Sequence, residues 1–129
     1  MIPVDDSIPI YVFPDGWHIA ELVSRFDYLR EGEQMGNCAG QFFSGPCTIY
    51  SLRDGRGRSH ASILFDGSTI DEVAGRANTP LKLKHRLRVR QFLTDRGYRV
   101  HPLAFLRPHI ARLQRHAAAL QKASISEAS

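Results

Sequence analysis

Residues 47–74 constrain this chain most: three β-type runs are separated by two tight turns. Cys47–Arg53 supplies Ile49, Tyr50 and Leu52; Ser59–Phe65 and Ser68–Ala74 follow. Asp54-Gly55-Arg56-Gly57 and Asp66-Gly67 join them. Asp bonds its own backbone in a turn and Gly tolerates positive φ, so such joins fold neighbouring strands back on one another. Strands joined this closely lie antiparallel, because a parallel pair needs a crossover of about a dozen residues or more. The expectation is a three-stranded antiparallel meander.

The flanks extend it. Ile8–Phe13 is a short β-type run, and Pro14-Asp15-Gly16 is a turn in which Pro presets φ. Trp17–Val23 returns as the second strand of a hairpin, in competition with a helix from Trp17 to Leu29 on the spacing of Ile19, Leu22, Phe26 and Leu29. Hairpin followed by helix is preferred. Ser24 with Asp27 resembles a capping box and starts a helix running to about Glu31. Gly32, Gly36 and Gly40 break up the next stretch, with Cys38 at or near the start of a short helix reaching Phe43.

Beyond the meander, Thr79-Pro80 reads as a helix start, with an N-cap hydroxyl and Pro at the first helical position. Residues 81–90 alternate with a period of two, a strand signal, yet they run into Phe92, Leu93 and a Gly97 stop; a helix is expected. Arg107-Pro108 opens a last helix with a seam of Ile110, Leu113, Ala117 and Leu120. The tail from about Ala123 is expected to be frayed or disordered. The fold class is therefore α+β: an N-terminal hairpin and helix, the meander and two C-terminal helices, in one domain over residues 1–122 with a tail at 123–129.

A chain of 129 residues that is 43% hydrophobic suits one such core. No stretch approaches the roughly 18 consecutive apolar residues of a membrane helix, and no basic region precedes an apolar run at the N-terminus. Two cysteines are too few for a disulfide scaffold. A cytoplasmic setting is expected. Charge is unevenly spread: 5 Lys/Arg against 11 Asp/Glu up to Gly75, a net −6, and 12 against 2 from Arg76 onward, a net +10. Either the two halves cancel by packing together, or the basic half meets an anionic partner.

Several motifs stand in order: Gly16-Trp17, Glu31-Gly32, Met35-Gly36-Asn37-Cys38-Ala39-Gly40, Ile49-Tyr50-Ser51-Leu52-Arg53-Asp54, Ser59-His60-Ala61-Ser62, Gly75-Arg76-Ala77-Asn78 and Pro80. Their order and spacing resemble the PcfJ-like family of phages and conjugative plasmids over about residues 16–95. The resemblance implies a mobile-element origin and brings no activity with it. The chain departs from the family pattern at Asn37, where the family has His, at Ser62 for Thr, at Leu64 for Glu, and at Glu72 for Gln.

Two kinds of chemistry follow. In the first, Cys38 at a helix N-terminus is a nucleophile, because exposed N–H groups favour a thiolate. His60 is then its base and Asn78 or Glu72 the orienting group, as in a Cys-dependent hydrolase or transferase. Asn37, Arg53 and Glu72 would line a polar pocket beside it. In the second, Lys82, Lys84, Arg86, Arg88, Arg90, Arg96 and Arg99 contact phosphates of nucleic acid or an acidic protein surface. Phe92, Tyr98 and Phe105 interleave with them, as bases would require or as a core would. His109 and His116 share a helical face without a third metal ligand by spacing, and no motif calls for a cofactor. The preferred expectation is a non-enzymatic binding domain of a phage or mobile element; the alternatives are the Cys38 enzyme and a phage inhibitor of a host defence complex.

Overall fold

A computed structural model describes residues 5–128, with side chains as far as 124. The expected hairpin forms from β1 (Ile8–Val12) and β2 (His18–Glu21), and helix α1 (Arg25–Met35) follows. The capping box is made in full: Ser24 Oγ accepts from the Asp27 N–H, and the Asp27 carboxylate accepts from the Ser24 N–H. Helix α1 passes Glu31 and continues through Gly32 to Met35. Gly36, at φ 61, ends it in the left-handed conformation that glycine adopts without penalty. A single 3-10 turn, Ala39–Phe42, then stands with Cys38 at its N-cap.

The meander is present as β3 (Thr48–Arg53), β4 (Ser59–Phe65) and β5 (Thr69–Ala74). The sheet is larger than expected. Six strands lie in the order β1-β2-β3-β4-β5-β6, antiparallel as far as β5. The short β6 (Arg99–Val100) pairs parallel with β5, and helix α2 (Leu83–Asp95) is the crossover between them. The fold is α+β.

Helix α2 settles the conflict over residues 81–90. Its buried residues are His85, Val89, Phe92 and Leu93, a helical spacing. The leucines that gave the period of two are split: Leu81 is buried, while Leu83 and Leu87 are 66% and 60% exposed. The helix does not begin at Thr79-Pro80 as expected. Thr79 Oγ1 and the Thr79 N–H both bond back to the Arg76 carbonyl, closing a turn instead of capping a helix. Lys82 takes the N-cap position with no side-chain bond.

Helix α3 (Arg107–Ala128) also departs from expectation. Pro108 is buried and Arg107 bonds the Asp71 carbonyl, so its first turn is anchored to β5. The expected seam is not buried: Leu113 and Leu120 are 67% and 59% exposed. Periodicity marked an amphipathic helix correctly, but no element of the described residues covers that face. The stretch expected to fray from Ala123 lies within α3 as far as Ala128.

Each face of the sheet has its own apolar cluster. Ile19, Tyr50, Leu52, Ala61, Ile63, Ile70 and Val73 pack with Val89, Phe92 and Leu93 of α2. Leu22 and Ile49 pack with Tyr28 of α1 and Ala39 of the 3-10 turn. A bulge decides which residues of β4 face which layer. Leu52 pairs with Ala61 but Arg53 pairs with Ser59, which leaves His60 as the extra residue. Ser59 bonds Glu31 of α1, while His60 lies against His85 of α2.

Candidate functional site

Among the described residues, four cationic side chains converge on a cavity at the N-terminal end of α2. Arg58, Arg76, Lys82 and Lys84 line a cavity of about 420 Å³ together with Trp17, Asp54, His60 and His85. The three rings form a cluster, with centroids 4.8 Å apart for Trp17 and His60, 5.0 Å for His60 and His85, and 5.5 Å for Trp17 and His85. The β3–β4 turn brings in Asp54 and Arg58, the strained loop after β5 brings in Arg76, and the start of α2 supplies the lysines.

Asp54 organises one wall. It accepts the backbone N–H groups of Arg56 and Arg58 at 2.9 and 3.1 Å, the Arg58 Nε at 2.9 Å and His60 Nε2 at 2.9 Å. Burial opposes its charge, but these bonds outweigh burial and hold its carboxyl well below the usual carboxylate range. His85 is the opposite case. Burial pushes it down to about 4, aided by repulsion from His60, Lys84, Lys82 and Arg88. Its Nε2 is buried without a hydrogen-bond partner. At neutral pH the ring is therefore uncharged, and the positive charge of the cavity comes from the arginines and lysines. One ionised carboxylate against four cations leaves a cavity suited to an anion.

The seven basic residues expected to form a surface are divided by the fold. Lys82 and Lys84 line the cationic cavity. Arg88 pairs with Asp15, at 3.0 Å for one bond, and lies 4.5 Å from the Trp17 ring centroid. Arg96 bonds the Ile10 carbonyl and lies over Tyr11. Arg86 and Arg90 border a separate cavity with His101 and His109, and Arg90 covers the Phe105 ring at 4.4 Å. Arg99 is exposed on β6. The aromatics belong to the core: Phe92 is fully buried, Tyr98 bonds Tyr50 through their hydroxyls at 2.9 Å, and Phe105 packs against the same cluster. Cancellation between the halves is limited. Among the described residues, the ion pairs joining them are Arg88–Asp15 and Arg107–Asp71.

The motif residues gather elsewhere. Asn37, Cys38, Glu72 and Asn78 all border a second cavity of about 260 Å³, roofed by Ala111 and Arg115 of α3. Asn37 is held at both ends: its Nδ2 donates to Ser62 Oγ at 3.1 Å and its Oδ1 accepts the Ala39 N–H at 2.9 Å. Cys38 is exposed and Cys47 half-buried, both as free thiols. Arg53 is not in this pocket; it is buried against Asp5 and Ser7, at 2.9 and 2.7 Å. His60 is not there either. Cys38 and His60, the expected nucleophile and base, line separate cavities that share no residue, and no hydrogen bond between them occurs among the described residues.

Sequence reasoning gave no role to Glu31, which is fully buried. Its Oε1 accepts from Ser51 at 2.8 Å and from Ser59 at 2.7 Å, and its Oε2 accepts from Ser62 at 2.7 Å. Burial raises its pKa, against the three serines and the nearby Arg53. The helical period held the signal: Asp27, Tyr28, Glu31 and Met35 share the buried face of α1. His85 was legible in the same way, four residues before Val89 and seven before Phe92 on the buried face of α2. Trp17, the Asp54–Arg58 pair and Arg76 come from three separate segments, and no local pattern joins the three.

Among the described residues, no group of three or more His, Cys, Asp or Glu is placed to hold a metal ion, and no helix is long and apolar enough to cross a membrane. No protein-family model, curated protein or solved structure matches the chain.

Proposed function

We propose that this chain is a non-enzymatic nucleic-acid-binding domain, cytoplasmic and of the PcfJ-like, mobile-element type that its motifs resemble. The phosphate backbone enters the cavity between the β3–β4 turn and the start of α2. The observation that carries this reading is the convergence of Arg58, Arg76, Lys82 and Lys84 on one cavity, the two lysines being in no ion pair among the described residues. Phosphate contacts of this kind give affinity with little sequence preference. The uncharged His85 ring adds a polar edge without adding charge at neutral pH. Cys38 and His60 line different cavities, which supports the binding reading over the Cys-dependent enzyme.

Filter binding of a single-stranded oligonucleotide across a salt series tests the proposal. Four phosphate contacts at a slope of about −0.7 each lower affinity roughly fifty-fold when salt rises fourfold. The paired K82Q and K84Q substitutions should flatten that slope by about 1.4, two contacts' worth. Salt-insensitive binding, or none at low salt, rejects it. Binding to an acidic protein and not to an oligonucleotide moves the same cavity to the protein-partner reading.

A further inference from the structure

The second cavity has a composition unlike the first. Its inner wall is apolar, formed by Phe42, Ile49 and Leu64. Around that wall stand Glu72, Asn78 and Arg115, three polar side chains of different charge. Among the described residues Glu72 and Arg115 are in no ion pair. The Glu72 carboxyl is half-buried, and burial raises its pKa, with repulsion from Asp71 and attraction from Arg107 as the other influences; among the described residues no hydrogen bond stabilises its charge. A second observation points the same way. Ala77 and Asn78 both sit at φ 55, a left-handed conformation that is strained for Ala77 and that Asn adopts more readily. Strain of this kind clusters at ligand clamps. Here it places the Asn78 amide on the cavity.

We propose that this cavity is a binding site for a small zwitterion with an apolar side arm, the chemistry of an apolar α-amino acid. The ligand ammonium pairs with Glu72, its carboxylate with Arg115, and its side arm lies on Ile49, Leu64 and Phe42. Asn78 bonds the polar end. The site is independent of the cationic cavity, with which it shares no lining residue. A cavity of about 260 Å³ has room for a molecule the size of leucine. The single charge of each sign argues against a polyanion, which the first cavity suits instead.

Calorimetric titration of L-leucine into the full chain tests this. Binding is saturable and weakens roughly tenfold in E72Q and in R115Q, the loss of one charge-assisted hydrogen bond each. N-acetyl-leucine lacks the ammonium and discriminates little between the natural chain and E72Q; leucinamide lacks the carboxylate and discriminates little between the natural chain and R115Q. If either variant fails to fold, a second measurement needs none: L-leucine slows iodoacetamide labelling of Cys38, which borders the cavity, more than that of Cys47. Absence of saturable binding for leucine and phenylalanine alike overturns the proposal. So does leucine affinity that E72Q and R115Q both leave unchanged, or Cys38 labelling that leucine does not slow.

Discussion

Glu31 and Ser62 meet beneath the sheet at 2.7 Å, and Ser62 in turn accepts the Asn37 amide at 3.1 Å. The motif glutamate, the motif asparagine and the serine of β4 are thus one hydrogen-bonded chain. Its titration has a definite sign. Burial, the leading influence, raises the Glu31 pKa above 4.5, so the folded state keeps the proton longer than the unfolded state does. The contribution of this group to stability is greatest at low pH and falls as pH rises from about 4.5 through the raised folded value. Glutamine at this position does not titrate. Urea unfolding of the natural chain and E31Q should therefore show E31Q gaining relative stability between pH 4.5 and neutrality. Parallel stability curves would falsify the assignment.

His85 behaves in the opposite sense. Its folded pKa is pushed down from 6.5 to about 4, so the unfolded state takes up the proton first. Its contribution is intact above about 6.5 and is lost as pH falls through about 4. The groups facing it are His60 from β4 and Lys82, Lys84 and Arg88 from its own helix, all of which oppose its charge. H85F removes the titration while keeping a flat ring beside Trp17 and His60. Between pH 6.5 and 4 the natural chain should lose stability faster than H85F, and above that window the two should run parallel. A natural chain that loses no more than H85F across the window contradicts the buried, neutral ring.

Local chemistry was readable wherever a few neighbouring residues decide the structure. The capping box of Ser24 and Asp27, the turns after Arg53 and Phe65, and the 3-10 turn after Cys38 all follow from short-range rules. What escaped depends on partners distant in sequence. Thr79 looked like a helix cap, but its hydroxyl donates to the Arg76 carbonyl at 2.6 Å. β6 is two residues long and exists because α2 returns the chain to the edge of β5. The α3 seam was read correctly as a helical stripe, yet a stripe does not say whether anything covers it. For the site, the charge asymmetry pointed to the basic half. Arg58 and Asp54, two of the five charged residues lining the cationic cavity, come from the acidic half.

The glycines of the central motif have a testable structural meaning. A Cβ on Gly32 would stand 3.1 Å from the Asn37 carbonyl oxygen and 3.5 Å from the Gly40 nitrogen. Both are backbone atoms, and the loop cannot drift, because the Asn37 N–H bonds the Gly32 carbonyl and the Asn37 side chain bonds the Ala39 N–H. Alanine gains about 1 kcal/mol of helix propensity at such a site but meets an overpacking cost of about 1–3 kcal/mol. The net expectation for G32A is a loss of about 1 kcal/mol in chemical denaturation. A stabilised G32A shows instead that the loop yields.

Trp17 gives the most direct reading of the cationic cavity, because it is the single tryptophan of the chain. It borders the cavity, with the His60 ring centroid 4.8 Å away and the Arg88 guanidinium 4.5 Å from its own centroid. Phosphate groups drawn to Lys82, Lys84, Arg58 and Arg76 change the field around the indole without needing to touch it. Titration with a short oligothymidine at low salt should therefore give a saturable change in tryptophan emission. K82Q should weaken it by roughly tenfold or less, one charged contact's worth. R96Q should weaken it less than K82Q does, since Arg96 is committed to the Ile10 carbonyl and the Tyr11 ring. Emission that responds equally to both substitutions points to the overall charge of the chain, and emission that does not respond to the oligonucleotide places its binding away from Trp17.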